Sequence, residues 1–165
     1  MRHLLRRASL AGLALAAAVI VASPAAAAPD KAAGTLTIPD KGSSDILSWS
    51  WGLSNPGTIG SGGGGAGSGK VTLSDFNLMK RIDPLSTELF RAAATGSHYA
   101  EVTISVPIGA PGTPFAIDYT LKQVFVTSLQ QSGSAGNASE SVSLAYGALQ
   151  QNIGTTSQFG WANDG

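Results

Sequence analysis

Cysteine is absent from the 165 residues. Thiol catalysis, disulfide staples and thiolate-bound metals are therefore excluded before any motif is read. Histidine is scarce, with two in the chain. His3 falls in an N-terminal leader, so His98 alone remains in the mature protein and a two-histidine metal site within one chain is ruled out. Charge is sparse at 12% of residues, ten Lys and Arg against ten Asp and Glu. Beyond the leader, no stretch approaches the roughly 20 apolar residues that a membrane-spanning helix needs. The many serines include no Gly-x-Ser-x-Gly nucleophile elbow. No cofactor and no metal is expected.

The leader is residues 1–28. Arg2, Arg6 and Arg7 open it, an apolar run over 8–22 follows, and Ser23-Pro24-Ala25-Ala26-Ala27-Ala28 supplies small residues for cleavage. This is the pattern of a secretory signal peptide. Cleavage after Ala27 is favoured over Ala28, because the later cut would leave Pro29 as the first mature residue. The expected product is a soluble, exported protein of one domain, residues 29–165, with no membrane insertion once the leader is removed. Removing three arginines leaves seven cations against ten carboxylates, a net charge of −3. A slightly acidic chain without a basic cluster lacks the electrostatic footprint for nucleic acid or anionic lipid. A chain of this length buries roughly two-thirds of its unfolded surface, so it needs no disulfides.

Along the mature chain the dominant period is two. Residues 35–38 are a short strand candidate and 39–44 have turn composition. In 46–52, Leu47, Trp49 and Trp51 share one side and Ser48 and Ser50 the other, which is a half-buried strand with core tryptophans. Residues 60–69 hold seven glycines in ten, a segment with little to bury and much backbone entropy to lose, hence a loop. Gly69-Lys70-Val71-Thr72 opens a β-branched stretch instead of a helix, so it is not a phosphate-binding loop. Residues 71–81 are strand-like. A helix is expected over 83–96: Asp83 caps it, Pro84 suits its first turn, Leu85, Leu89, Phe90 and Ala93 form its apolar stripe, and Gly96 stops it. Leu89 and Phe90 should therefore be buried.

In 98–106, Ala100, Val102, Ile104 and Val106 alternate, and a Pro/Gly turn spans 107–114. Residues 115–129 place Phe115, Ile117, Tyr119, Leu121, Gln123 and Phe125 on one face, with Val124 and Val126 on the other. A Ser/Gly/Asn loop is expected over 131–139. Val142, Leu144, Tyr146 and Ala148 alternate after it, and 158–161 form a last strand. The fold class is mainly β: a single antiparallel barrel or sandwich with one helix.

Candidate chemistry is thin. His98 between Ser97 and Tyr99 reads as a structural polar residue at a strand start. Asp75, Asp83, Glu88, Glu101, Asp118 and Glu140 are scattered, and nothing in their spacing makes a glycosidase pair. Glu101 and Asp118 read as solvated strand faces. Asn137-Ala138-Ser139 is a formal glycosylation sequon to which no role is assigned.

The order of segments is itself a signature. Leu47-Ser48-Trp49-Ser50-Trp51-Gly52, the glycine-rich loop, Gly69-Lys70-Val71-Thr72-Leu73-Ser74-Asp75-Phe76 and the run from Leu89 to Tyr99 through Ala-Ala-Ala-Thr-Gly-Ser-His follow one another. Glu140-Ser141-Val142-Ser143-Leu144-Ala145-Tyr146 and Phe159-Gly160-Trp161 complete the series. Over roughly residues 35–161 this resembles the hemolysin-coregulated protein (Hcp) family, the tube subunits of type VI secretion. The resemblance implies a small β-barrel with one flanking helix, self-association into a hexameric ring, stacking of rings into a tube, effector proteins as partners in its lumen, and no enzymatic activity without a fused toxin domain. It also implies a stacking role for the glycine-rich loop, Gly60, Gly62, Gly63, Gly64, Gly65, Gly67 and Gly69. The sequence departs from the family pattern in its own signal peptide, in a short connection at Lys41–Asp45 and in a short segment between Leu149 and Phe159. The competing readings are a monomeric secreted binding module on the same barrel and a secreted hydrolase using His98 with a carboxylate.

Overall fold

The computed structural model describes residues 31–56, 70–109, 115–154 and, as a strand, 157–162. Residues 1–28, expected to be a signal peptide, the seven loop glycines and most of the Pro/Gly turn lie outside the described residues. Among the described residues, ten strands and one helix follow one another. They are β1 (Gly34–Ile38), β2 (Gly42–Ser50), β3 (Leu53–Ser54), β4 (Thr72–Leu73), β5 (Phe76–Arg81), α1 (Pro84–Thr95), β6 (His98–Ile108), β7 (Phe115–Ser134), β8 (Asn137–Ala145), β9 (Ala148–Ile153) and β10 (Ser157–Ala162).

Every strand pairing is antiparallel. The main sheet runs β10-β9-β7-β6-β1-β2-β5-β8, and β8 also pairs with β7. That second pairing closes six strands into a barrel. The strand β7 serves twice: residues 117–122 pair with β9, and residues 125–134 pair with β8. The β9–β10 hairpin therefore extends the sheet outside the closed ring of strands. Strands β3 and β4 form a separate two-stranded ribbon.

Turn chemistry sets the registers. In the β1–β2 hairpin, Asp40 takes the left-handed conformation at φ 62° and Lys41 donates its N–H to the Ile38 carbonyl at 3.1 Å. The turn is thus Pro39–Lys41, and Gly42–Ser44, expected to be part of a turn, already belongs to β2. The β7–β8 hairpin turns on Ala135 and Gly136, both with positive φ, between the paired residues Ser134 and Asn137. This two-residue geometry matches the twist of the flanking strands. The loop expected over 131–139 is therefore a ladder. Its small polar side chains look like loop because they are exposed, yet the backbone hydrogen bonds do not depend on them.

Two irregularities reverse the inward face of a strand. On β2, Ile46 pairs with Lys80 but Ser48 pairs with Met79, so Leu47 is an extra residue. Ser44 and Ile46 point inward before this bulge, and Trp49 after it. The tryptophan expectation holds: Trp49 stacks on Phe76 (6.0 Å between rings), Trp51 meets Tyr119 edge-on at 5.8 Å, and Ser48 and Ser50 are exposed. On β7, Gln123 has φ 52°. Tyr119 and Leu121 are buried before it, Val124 and Val126 after it, and Phe125 is 44% exposed. Strict alternation through 115–129 is therefore corrected, since the expected second face joins the same core.

The helix begins as expected. Asp83 accepts the Leu85 N–H, Ser86 completes a capping box, Pro84 occupies the first turn and Gly96 ends it at φ 67°. Leu85, Ser86, Leu89 and Ala92 are its buried residues. Phe90, expected to be buried, is 60% exposed. At 100° per residue, the stripe from Leu85 through Leu89 continues to Ala92, and Phe90 falls a quarter-turn off it.

Elsewhere the alternation holds in part. Val102, Ile104 and Val106 are buried, whereas Ala100 is exposed. The run through Tyr146 and Ala148 breaks at Gly147, whose N–H bonds the Lys122 carbonyl at 2.9 Å, and Leu149 becomes the buried residue of β9. Gly34 is required by close approach: a Cβ there would lie 2.5 Å from the Ser105 carbonyl oxygen across the β1–β6 pairing.

Candidate functional site: a buried ion-pair cluster and an open sheet edge

Period-two alternation on β5 turns Phe76, Leu78 and Lys80 to the same inward face. Lys80 is fully buried, a costly place for an ammonium group unless it is paired and hydrogen-bonded. Its Nζ donates to Glu140 Oε1 at 2.9 Å, Asp83 Oδ1 at 2.9 Å, Ser86 Oγ at 3.0 Å and the Arg81 carbonyl at 2.8 Å. Glu140, 1% exposed, sits opposite Lys80 in the β5–β8 register. It also accepts from the Ser86 hydroxyl at 2.7 Å and from Gln131 Nε2 on β7 at 2.9 Å. Asp83 additionally accepts a hydrogen bond from the Ser44 hydroxyl of β2. One cluster thus ties β2, β5, β7, β8 and the start of α1. Among the described residues no buried side-chain nitrogen or oxygen is left without a partner.

Burial pushes the Asp83 carboxyl up. The hydrogen bonds from Lys80 and Ser44, the Lys80 charge and the Leu85 N–H outweigh that and hold it below its ordinary value. Asp83 faces an open cleft of about 750 Å³ between the β1–β2 hairpin and the first turn of α1, lined also by Lys41, Ser44, Asp45 and Arg81.

The other candidates are placed apart. His98 lies exposed at the start of β6 with its ring 5.3 Å from Phe125, and no carboxylate pairs with it among the described residues. Glu101 pairs with Lys122 across β6–β7, and Glu88 pairs with Arg91 and Lys41. Asp75 accepts from the Thr127 hydroxyl at 2.6 Å, and Asp118 is half-buried in β7 between Ser105 and Asn152. Asn137, first residue of the sequon, is exposed beside the β7–β8 turn and accepts from Arg81 at 3.4 Å. The two carboxylates that do meet, Asp83 and Glu140, have the Lys80 ammonium between them and not the open space of a glycosidase pair. Spacing along the chain conceals this cluster. Its signal is subtler: Phe76-x-Leu78-x-Lys80 and Glu140-x-Val142-x-Leu144 each put a charge on an otherwise apolar face.

The inward faces of β6, β7 and β9 run past the closed barrel. Ile108 pairs with Phe115, and Ile117 with Ile153. Ile108, Phe115 and Ile153 are 36%, 44% and 39% exposed. Beyond β9 lies β10, whose outer edge has no neighbouring strand among the described residues.

The family model for "Type VI secretion system effector, Hcp" matches residues 32–153. The chain belongs to the Hcp family. Solved structures agree on the fold. "Structure of a type six secretion system protein" superposes with a TM-score of 0.65 at 23% identity, covering 79% of this chain and 96% of that one. Hcp1 from Salmonella typhimurium gives 0.61 at 24% identity, covering 80% and 95%. Hcp1 from the E. coli pathovar EAEC 042 gives 0.64 at 18% identity, covering 79% and 97%. No curated protein matches the chain. The Hcp match takes in the whole closed barrel, α1 and β9, and so every member of the Lys80 cluster, while β10 lies past it.

Proposed function

We propose that residues 29–165 are exported after signal cleavage near Ala27 or Ala28 and assemble as a hexameric Hcp ring. Such rings stack into a hollow tube that holds effector proteins, with the segment of Gly60, Gly62, Gly63, Gly64, Gly65, Gly67 and Gly69 serving contacts between rings. The protein acts as a structural subunit, without catalytic residues, cofactor or metal. The single observation that carries self-assembly is the apolar rim of Ile108, Phe115 and Ile153 beside the open β10 edge. Exposed apolar surface next to unpaired strand groups favours a second chain, and a repeated head-to-tail contact closes into a ring. A net charge of −3 per subunit opposes this little.

Light scattering on the purified mature chain tests the reading. Six times the subunit mass is expected. Replacing residues 60–69 with a two-residue turn should leave that mass unchanged and reduce stacking seen by electron microscopy. A single-subunit mass at high concentration would transfer the protein to the monomeric binding-module reading.

A further inference from the structure

We propose that the Lys80 cluster is an acid-released catch on α1: protonation of Asp83 frees the helix from the barrel while the strand ladder stays formed. Outside the cluster the polar ties on α1 are at Glu88, whose carbonyl accepts from the Tyr99 hydroxyl at 3.0 Å and whose carboxylate pairs with Lys41 at 3.7 Å across the cleft. The helix's buried apolar face is Leu85, Leu89 and Ala92, and a 12-residue helix is marginal on its own in water. Two cluster members, Asp83 and Ser86, are also its capping box. Losing the ion pairs therefore loosens the helix start and the helix-to-barrel contact together.

The barrel differs. Its strands are joined by continuous backbone ladders through β7-β6-β1-β2-β5-β8 that need no ionised group. The titratable groups facing Lys80 are Asp83, at the turn into α1, and Glu140 on β8. The other contributors are neutral: Ser86 from α1, Gln131 from β7, Ser44 from β2 and the Arg81 carbonyl. Protons have a way in, because the Asp83 side chain is 28% exposed at the open cleft, whereas the Lys80 and Glu140 side chains are at 0%. Protonating Asp83 leaves a buried ammonium with one carboxylate in place of two.

The sign follows from linkage. Asp83 is held below its ordinary value of 3.8, so its contribution is present above that value and is lost as pH falls through the lower folded one. While the released state holds one proton more than the docked state, its population grows about tenfold per pH unit.

Hydrogen exchange of the whole mature chain, corrected for intrinsic rates, reads this directly. Between pH 6 and pH 3, exchange in residues 84–95 should rise several-fold, up to about sevenfold, with the whole rise falling below about pH 4. Amides of 102–106 and 117–121 should stay protected and tryptophan emission should not change. Asp83→Asn keeps a good helix cap but removes the charge, so α1 exchange should already be raised at pH 6. Lys80→Met with Glu140→Gln should flatten the pH profile of α1. Loss of protection in α1 and in the barrel strands at the same pH would overturn the proposal. A wild-type profile in Asp83→Asn would overturn it too, and that variant decides the matter alone should the double variant not fold.

Discussion

Along the inward face of β5 the barrel changes character within four residues, about 13 Å of strand. At one end Phe76 packs among Trp49 and Tyr119, with ring centroids 6.0 and 5.3 Å away. At the other end Lys80 is enclosed by Asp83, Ser86 and Glu140. Both ends are fully buried, yet they depend on different physics. The aromatic end is held by non-directional burial and tolerates changes that conserve volume. The ionic end is satisfied only as a complete set, since each member removed leaves another buried group unpaired. The helix docks at that ionic end.

Substitutions that break this contrast should differ in kind as well as size. The largest effect is expected from Glu140→Leu, which leaves Lys80 buried without its main partner and should cost on the order of 3–5 kcal/mol in denaturant unfolding. Adding Lys80→Met should recover most of that loss and bring the double variant to within about 1 kcal/mol of wild type. Equal losses in the single and double variants would show that the cluster is not acting as a set.

At the aromatic end, Phe76→Ala should cost roughly 3–5 kcal/mol through lost burial and a cavity, with no rescue by a neighbouring substitution. Phe90→Ala provides the control. Its ring is mostly exposed, and the expected change is within about 0.5 kcal/mol.

A smaller effect sits on the ribbon side. The Tyr146 hydroxyl donates to the Ser74 carbonyl at 3.0 Å, and burial, with the Asp75 charge, pushes its pKa up to about 12. The neutral phenol is thus favoured in the folded state. Its contribution is present below the ordinary value of 10.0 and is lost as pH rises toward about 12. Tyr146→Phe should remove this part of the alkaline stability profile while leaving the neutral region nearly unchanged.

The two ends were not equally legible in the sequence. Trp49, Trp51 and their serine partners carry a clean period of two, so the aromatic end could be read from residues alone. The helix stop and cap were legible for the same reason, because Asp83, Pro84 and Gly96 act through local backbone chemistry. The ionic end was not. Lys80 and Glu140 are 60 residues apart, and only strand register makes them opposite. Phe90 was misplaced because four apolar residues in one short helix fit two neighbouring stripes, and packing against β7 selected the one with Ala92. The flip at Gln123 rests on a positive φ at a residue type that gives no warning of it. The ladder over 131–134 was hidden by small polar side chains that say nothing of backbone pairing.

In the proposed assembly, copies of this Hcp barrel meet at the rim where β6, β7 and β9 outrun the closed core. Sedimentation velocity on the mature chain and on Phe115→Glu tests it most directly, since Phe115 is exposed enough for the change to spare the fold. A six-subunit species is expected for the wild type and a single subunit for Phe115→Glu, with identical circular dichroism. A monomeric wild type, or a Phe115→Glu variant that still sediments as a hexamer, would contradict this assembly.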